Sequence, residues 1–359
     1  MQASATQVFN AEFHRSDVQN VTVTAAYSST AGSKLTLTGT GTIATDFGSF
    51  VGVDNINFSA ASTSTWGNTR LRVALVLDNT GSMAQDDKMT ALKTASQNLL
   101  TQLQNAAVTP DDVYVSIVPF NKDVNVGASN VDETWLRWDL WEAANGTCSN
   151  SSYHSQSSCT SHGGVWTLAT DHSSWNGCVT DRDQNYDTTN DVPLAGATLY
   201  PAEQYSSCPA QLMGLSNDWT ALSSKIDGMQ SSGNTNQAIG LQMGWQSLTA
   251  SPFTVPALDP NYHYTQAIIL LSDGLNTEDR WYSNASSIDA RQQTTCDDIK
   301  AAGIVIYTVQ VNTGGDPTST LLKNCASDAS KFFLLTSSTQ IVTTFNQIGT
   351  ALSNLRLAM

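Results

Sequence analysis

The sequence predicts an α/β protein built on a doubly wound, mainly parallel β-sheet. Short apolar runs rich in β-branched residues alternate with longer segments of helical periodicity. The run at 71–77 is apolar on both faces, as expected for a strand covered by helices on each side. Such an alternation gives parallel strands joined by right-handed crossovers. We also expect a small N-terminal β-rich region and a disulfide-stapled insertion.

The elements of the main domain follow from these patterns. In the last predicted helix, Ile341, Phe345 and Ile348 step by four and three residues, which gives one apolar stripe. The predicted strands are 71–77, 113–120, 265–271, 304–311 and 331–335, and the predicted helices are 88–106, 235–248, 286–302, 317–326 and 338–356.

The first 68 residues are expected to form a separate β-rich region. Apolar and polar side chains alternate with a period of two at 21–27 and 34–38, and a similar segment follows at 53–60. We expect three to five strands and no helix here. A sheet this small is expected to pack onto something larger.

An insertion is predicted at about 122–230, where the alternation of strands and helices fails. A structureless loop of this length is unusual in a compact domain, and this segment contains four of the six cysteines. We therefore expect local order that is stapled by disulfides. The predicted organisation is a β-rich region at 1–68 and a main domain at 69–357 that contains the insertion.

The cysteines indicate disulfides and an exported protein. Their number is even and no C-x-x-C pair occurs, as in proteins of oxidising compartments. One alternative is that the cysteines are reduced and merely buried. Another is zinc, because His154 and His162 lie near two cysteines, but the spacing matches no common zinc finger. Six cysteines allow fifteen pairings. The pairing that we predict is Cys148 with Cys159, Cys178 with Cys208, and Cys296 with Cys325, the last because both residues lie on helices that flank the strand at 304–311.

Charge and hydropathy exclude two classes of partner. The formal net charge of −15 opposes binding to nucleic acid, because a phosphate backbone would be repelled. No apolar run approaches the roughly 20 residues that span a bilayer. The N-terminus also lacks a basic segment followed by an apolar one. We therefore expect no membrane anchor within this sequence.

A group of oxygen-bearing side chains is expected at the sheet edge where the carboxyl ends of the strands meet. Carboxylate and hydroxyl oxygens suit Mg²⁺, Mn²⁺ and Ca²⁺, so this group predicts a site for one divalent cation. The alternative is a polar turn in which Thr80 or Ser82 caps a helix. The candidate ligands are Asp78, Thr80 and Ser82 after the first buried strand, Thr235 at the start of a helix, and Asp273 after the third strand.

These residues carry a resemblance to a known family. The motif Asp78-x-Thr80-x-Ser82, with Thr235 and the turn Ser272-Asp273-Gly274, resembles the metal-ion-dependent adhesion site of von Willebrand A domains. The usual motif has serine at the position of Thr80, whose hydroxyl offers the same oxygen. The resemblance implies that Thr80 and Ser82 are direct ligands and that Thr235 joins when a partner binds. Asp78 and Asp273 would ligate directly or through water.

A narrower resemblance concerns the TadG-like proteins of bacterial tight-adherence (Flp) pilus assembly, in which a small β-rich region precedes the A domain. The segments that look similar are 78–83, 175–182 and 352–357. These proteins normally have an N-terminal membrane anchor, which we do not find in this sequence. The resemblance implies pilus assembly or cell-surface attachment, in the periplasm or on the surface of a bacterium.

The predicted function is a metal-dependent protein-binding or adhesion module and not an enzyme. Its partner would be a pilus or envelope protein that presents an acidic side chain to the metal. One alternative is a structural surface or pilus-scaffold protein with a vestigial metal site. Another is a metal-dependent hydrolase, but the ligand loops contain no histidine to act as a base, and Glu278 is expected beyond the rim.

A second, weaker pattern lies in the insertion. Asp181-x-Asp183-x-Asn185-x-Asp187 has the oxygen-rich spacing of a calcium loop. It lacks the glycine and the glutamate that such loops carry at their sixth and twelfth positions. A solvated acidic loop is the alternative interpretation.

Overall fold

The protein is described by a computed structural model that covers residues 2–28, 33–66 and 69–357. It divides into two compact units. The N-terminal unit contains the described residues of 1–70 and of 354–359, together with 258–264. The second unit contains 71–257 and 265–353.

The N-terminal unit is a three-stranded antiparallel sheet with a helix. Its elements are α1 (Gln2–Glu12), β1 (Val18–Ser28), β2 (Ser33–Ala44) and β3 (Asn55–Trp66). The strand order is β1-β2-β3, which confirms the expected β-rich region.

The expectation that this region contains no helix is wrong. The apolar side chains of α1 are sparse, and none of its residues is buried, so the sequence shows no apolar stripe. Phe9 stacks on Phe13, with ring centroids 5.2 Å apart. A Cβ atom at Gly39 in β2 would lie at van der Waals distance, 3.8 Å, from the Phe9 ring, which therefore lies over the sheet at this position.

The remaining strands and helices of the described chain lie in the second unit, apart from a few terminal residues of three of them. In chain order they are β4 (Thr69–Asp78), α2 (Lys88–Ala106), β5 (Val113–Phe120), β6 (Val124–Asn125), β7 (Leu136–Arg137), α3 (Asp139–Ala144), β8 (Thr147–Cys148), α4 (Gln156–Ser161), β9 (Trp166–Thr167), β10 (Cys178–Val179), β11 (Tyr200–Pro201), β12 (Met213–Ser216), α5 (Trp219–Asp227), α6 (Gln237–Thr249), β13 (His263–Ser272), α7 (Ala285–Ala301), β14 (Val305–Val311), α8 (Thr320–Cys325), β15 (Phe332–Leu335) and α9 (Thr339–Leu357).

The predicted fold class is confirmed. Within the described residues, the main sheet has eight strands in the order β10-β6-β5-β4-β13-β14-β15, with β12 paired to β5. The β4–β5, β13–β14 and β14–β15 pairs are parallel. The pairs made by β6, β10 and β12 are antiparallel. These three antiparallel strands all come from the segment predicted to be an insertion.

The main sheet is buried on both faces. Val73, Leu75 and Leu77 of β4 belong to one hydrophobic core, and Ala74 and Val76 belong to another. The first core also contains side chains of α2, α5 and α9, and the second contains side chains of α6, α7 and α8. The strand β4 is therefore apolar on both faces because helices cover each face of the sheet, as expected from the sequence.

Two glycines let α6 approach the sheet closely. A Cβ atom at Gly240 would lie 2.6 Å from the Phe120 ring, and one at Gly244 would lie 2.5 Å from a methyl group of Val76. Only glycine fits at these contacts without displacement of a neighbour. The close approach fixes the start of α6 at the carboxyl ends of β4 and β5, beside Thr235.

All six cysteines form disulfides, as predicted from the sequence, so the zinc alternative is wrong. Cys296 of α7 and Cys325 of α8 are both fully buried, with Cα atoms 5.1 Å apart. This bridge ties together the two helices on either side of β14 in sequence. The other two bridges are Cys148–Cys159 and Cys178–Cys208.

None of the helices in the described residues has the length and hydropathy of a membrane span.

Candidate metal site

The first part of the site is the end of β4. Asp78 is fully buried there. Its Oδ1 accepts a hydrogen bond from the backbone N–H of Thr80, at 2.7 Å, and its Oδ2 accepts one from the Ser272 hydroxyl, at 2.6 Å. Because Ser272 is the last residue of β13, this second bond connects the ends of two strands. The carboxylate is therefore held in one orientation from both sides.

Three more oxygen-bearing side chains continue from this point. The hydroxyls of Thr80 and Ser82 lie 3.0 Å apart, and the Ser82 hydroxyl donates to Asp273 Oδ1 at 2.6 Å. Asp273 directly follows β13, so the link between Ser82 and Asp273 spans 191 residues of sequence. The fold thus brings Asp78, Thr80, Ser82 and Asp273 into one hydrogen-bonded group. Ser272, which precedes Asp273, also belongs to this group through its bond to Asp78.

Thr235 lies on a third loop that is bonded to the first. The N–H of Gly81 donates to the carbonyl of Gly233 at 3.0 Å, and the N–H of Ser232 donates to the carbonyl of Asn79 at 2.8 Å. Thr235 is buried, and its own N–H donates to the Thr277 hydroxyl at 2.8 Å. Within the described residues its hydroxyl makes no hydrogen bond to the four-residue group. Thr235 is therefore adjacent to the group but not joined to it.

Lys88 is a member of this site that the sequence analysis missed. Its ammonium group forms a buried ion pair with Asp273 Oδ2. The residue opens α2, directly after Asp86 and Asp87, which both have left-handed backbone conformations. A lysine in the first turn of a helix opposes the helix dipole. That unfavourable placement in the predicted helix at 88–106 was a detectable signal that the charge has a partner elsewhere.

The electrostatics of the site favour a further cation. Burial and then the negative charge of Asp273 raise the pKa of Asp78 to about 6, against the opposing effect of the hydrogen bonds from Ser272 and Thr80. The two carboxylates and one ammonium group leave a formal charge of −1 when all are ionised. The raised pKa reflects a carboxylate whose negative charge is not fully compensated by its surroundings.

The donor set fits a hard divalent cation. Within the described residues, no three His, Cys, Asp or Glu side chains are placed to hold a metal ion, so the hydroxyls are needed as ligands. Adjacent oxygens around Mg²⁺, with bonds of about 2.1 Å at right angles, lie about 3 Å apart. The Thr80 and Ser82 hydroxyls are separated by 3.0 Å. Asp273 could bind the ion through Oδ1 while its Oδ2 remains paired with the Lys88 ammonium group. We find that these side chains fit such an ion.

The candidate calcium loop of the insertion serves a different purpose. Arg137 and Arg280 each donate to Asp183 at 2.7 Å, and Arg291 forms an ion pair with Asp187. Two of the three carboxylates that a calcium ion would need are thus occupied by guanidinium groups, and the third, that of Asp181, accepts from the Asn236 amide. The alternative of a solvated loop also fails at Asp187, which is buried. The segment is a network of ion pairs that attaches the insertion to α7 and to the loop before it.

A family model supports the assignment of this fold. The model of the von Willebrand factor type A domain matches residues 201–347. That range contains Thr235 and Asp273, together with β13, β14 and β15. The match covers less than half of the chain, so it shows that this segment and its mainly parallel sheet are similar to a von Willebrand factor type A domain. No curated protein matches the sequence significantly.

Several solved structures are similar to the chain. The vWF domain of the type V pili tip protein Mfa5 from Porphyromonas gingivalis is 12% identical, with 80% of this chain and 96% of that chain covered and a TM-score of 0.46. The pilus adhesin SpaC from Lactobacillus rhamnosus GG is 13% identical, with 96% and 35% covered and a TM-score of 0.45. Proximal thread matrix protein 1 from the mussel byssus, with a zinc occupied MIDAS motif, is 13% identical, with 80% and 47% covered and a TM-score of 0.42. The chain spans about a third of SpaC and about half of the byssus protein.

Proposed function

We propose that this protein is a metal-dependent protein-binding module of the adhesion type and not an enzyme. One observation carries the proposal, namely the convergence of the side-chain oxygens of Asp78, Thr80, Ser82 and Asp273 at the carboxyl edge of the sheet. Thr235 is adjacent and would complete the ligand set. The metal would be Mg²⁺, Mn²⁺ or Ca²⁺. When bound, it supplies a positive charge to which an acidic side chain of the partner is attracted.

The acidic surface explains why the metal would control binding. With a formal net charge of −15, the protein repels acidic partners in general. A divalent cation at the site would be the strongest local charge and would reverse this repulsion at one point. Removal of the cation would leave two surfaces of like charge facing each other.

The setting that we propose is pilus assembly or surface attachment in the periplasm or on the surface of a bacterium. Three disulfides support an oxidising, extracytoplasmic compartment. The resemblance of segments 78–83, 175–182 and 352–357 to TadG-like proteins of tight-adherence pilus assembly supports pilus or envelope components as partners.

The test measures binding of the purified protein to immobilised pilus or envelope fractions in Mg²⁺ and in EDTA. We expect binding in Mg²⁺ that EDTA abolishes. Ser82→Ala should lose binding even in Mg²⁺, because it removes one hydroxyl ligand. Thr94→Ala is the matched control, since its exposed hydroxyl bonds only to its own helix, and it should bind like the parent. A specific partner that binds equally in Mg²⁺ and EDTA would contradict the proposal.

One observation favours a second candidate, a structural surface or pilus-scaffold protein whose site no longer needs a metal. The Lys88 ammonium already neutralises one of the two carboxylates, at Asp273. Calorimetric titration of the parent with Mn²⁺ separates the candidates. Binding of one ion per chain supports the metal-dependent module, and the absence of binding supports the scaffold.

A further inference from the structure

The N-terminal unit lacks a core of its own. Among the residues of 2–28 and 33–66 whose burial is described, only Gly41 is buried. Large apolar side chains remain in solvent, among them Val8 in α1 and Phe47, Phe50 and Val51 between β2 and β3, with Phe50 86% exposed. A three-stranded sheet needs a buried apolar face, or packing against a further element, to be stable. We therefore expect the sheet of this unit to pack against another protein chain.

The two edges of its sheet are built differently. In β1 the pairing with β2 is interrupted between Gln19 and Thr22, and Asn20 has a left-handed backbone conformation. Such a bulge makes an edge a poor template for another strand. In contrast, β3 pairs with β2 in unbroken register from Asn55 to Trp66. Only the edge formed by β3 is regular enough to accept another strand along its whole length.

The β3 edge also has none of the usual protection. The twelve residues of β3 include no proline and no charged residue. From Asn55 to Thr65 all side chains are exposed except Phe58, which is half-buried. No described strand pairs with the free edge of β3. Natural proteins normally place lysine, proline or a bulge on such an edge to prevent association.

We propose that β3 is a docking edge for the β3 strand of a second copy of this chain. Two identical strands related by a two-fold axis run antiparallel. Residues opposite each other in an antiparallel pair lie on the same face of the sheet, so one residue near the middle must face its own copy. With Ala61 at the axis, Ser59 faces Thr63 and Phe58 faces Ser64 of the second copy. The two sheets then form one six-stranded sheet.

Charge favours a second copy at this place. The first 66 residues contain two basic and four acidic side chains, so most of the net charge of −15 lies elsewhere. Two copies that met through the acidic second unit would repel each other. At β3 every cross-strand pair is neutral, and small residues occupy the centre. This edge therefore lets two acidic chains associate with little repulsion.

The test is a charge swap at Ala61, followed by sedimentation over a range of concentrations. We expect the full chain to be a concentration-dependent dimer. Ala61→Lys or Ala61→Glu places two like charges about 5 Å apart, which should raise the dimer dissociation constant about fourfold. An equal mixture of the two variants should form a heterodimer that is about fifteenfold more stable than either charged homodimer, because attraction of the same size replaces the repulsion.

Thr38→Lys is the matched control. Thr38 pairs with Ala61 in the inner strand β2, so its side chain lies on the same face, one strand further from the axis. In the dimer the two lysines would be about 14 Å apart, beyond the screening length of about 10 Å at 0.1 M salt. Its dissociation constant should therefore match that of the parent.

A second measurement needs no variant. Hydrogen exchange of β3 amides in the parent should slow as concentration rises, whereas exchange in β1 should not change. A parent chain that stays monomeric at every soluble concentration would overturn the proposal, and binding of a strand from a different protein would then be the remaining use of this edge. A dimer whose dissociation constant is the same in both charged variants would also overturn it.

Discussion

Lys88 gives the most informative perturbation of the candidate metal site. In Lys88→Met the ammonium group that pairs with Asp273 is replaced by an uncharged side chain of similar length. Two carboxylates, those of Asp78 and Asp273, then share a buried site without a cation. Removal of one partner of a buried ion pair typically costs about 3–5 kcal/mol of stability. We expect Lys88→Met to be strongly destabilised in EDTA.

The same change should strengthen metal binding. If a divalent ion shares Asp273 with Lys88, its separation from the ammonium group is on the order of 5 Å. The repulsion between them is then about 2–7 kcal/mol for effective dielectric constants between 80 and 20. Even the lower value corresponds to more than a tenfold change in affinity. Lys88→Met should therefore bind Mn²⁺ at least about tenfold more tightly than the parent.

The assay combines calorimetric titration with Mn²⁺ and thermal unfolding with and without Mg²⁺. Lys93→Met is the matched control, because Lys93 lies on the same helix and, among the described residues, its ammonium donates only to the carbonyl of Asp227, in an exposed position. The control should match the parent in both measurements. If Lys88→Met binds Mn²⁺ more weakly than the parent, then Lys88 orients Asp273 for the metal and does not oppose it, and the electrostatic reasoning is wrong.

Two further predictions concern stability. Replacement of both Cys296 and Cys325 by alanine opens a loop of about thirty residues, which should lower the free energy of unfolding by about 3–4 kcal/mol, measured by urea denaturation. A loss below about 1 kcal/mol would contradict this account of the bridge. Burial and then the charges of Asp279 and Asp187 raise the pKa of Asp181 to about 7. Because this folded-state pKa exceeds the unfolded value, the contribution to stability is present below about pH 4 and is lost as pH rises to about 7. Asp181→Asn should therefore gain stability relative to the parent as pH rises from about 4 to about 7, by at most about 1.4 kcal/mol per pH unit. A constant difference across this range would refute the pKa assignment.

The sequence predicts the parts of the fold whose signal is local. The helix at 88–106 has the bounds of α2, because Leu92, Leu99 and Leu103 mark its buried face. The strand at 113–120 matches β5 for the same kind of reason, a continuous apolar run. The helix α1 escaped notice because it buries no residue. Its position depends on the sheet beneath it and not on its own periodicity.

Long-range contacts account for what the sequence did not predict. The segment at 122–230 was expected to have its own local order, yet β6, β10 and β12 within it extend the main sheet. The strand β10 has two residues and β12 has four, too few for a period to be read. In the candidate site, Asp78, Thr80 and Ser82 form a motif, whereas the pairing of Lys88 with Asp273 joins residues 185 apart. Sequence spacing cannot predict a contact between residues so far apart in the chain.

The most direct test of the central claim is a titration of the parent and of two Asp78 variants with Mg²⁺ or Mn²⁺. Asp78→Ala removes the carboxylate, and Asp78→Asn keeps its shape while removing the charge, with its amide oxygen accepting from the Thr80 N–H and its amide nitrogen donating to the Ser272 hydroxyl. We predict that the parent binds one ion per chain, that Asp78→Ala binds none, and that Asp78→Asn remains folded but binds at least about tenfold more weakly. Equal binding by the parent and Asp78→Ala would contradict the account, because the ion would then lie elsewhere.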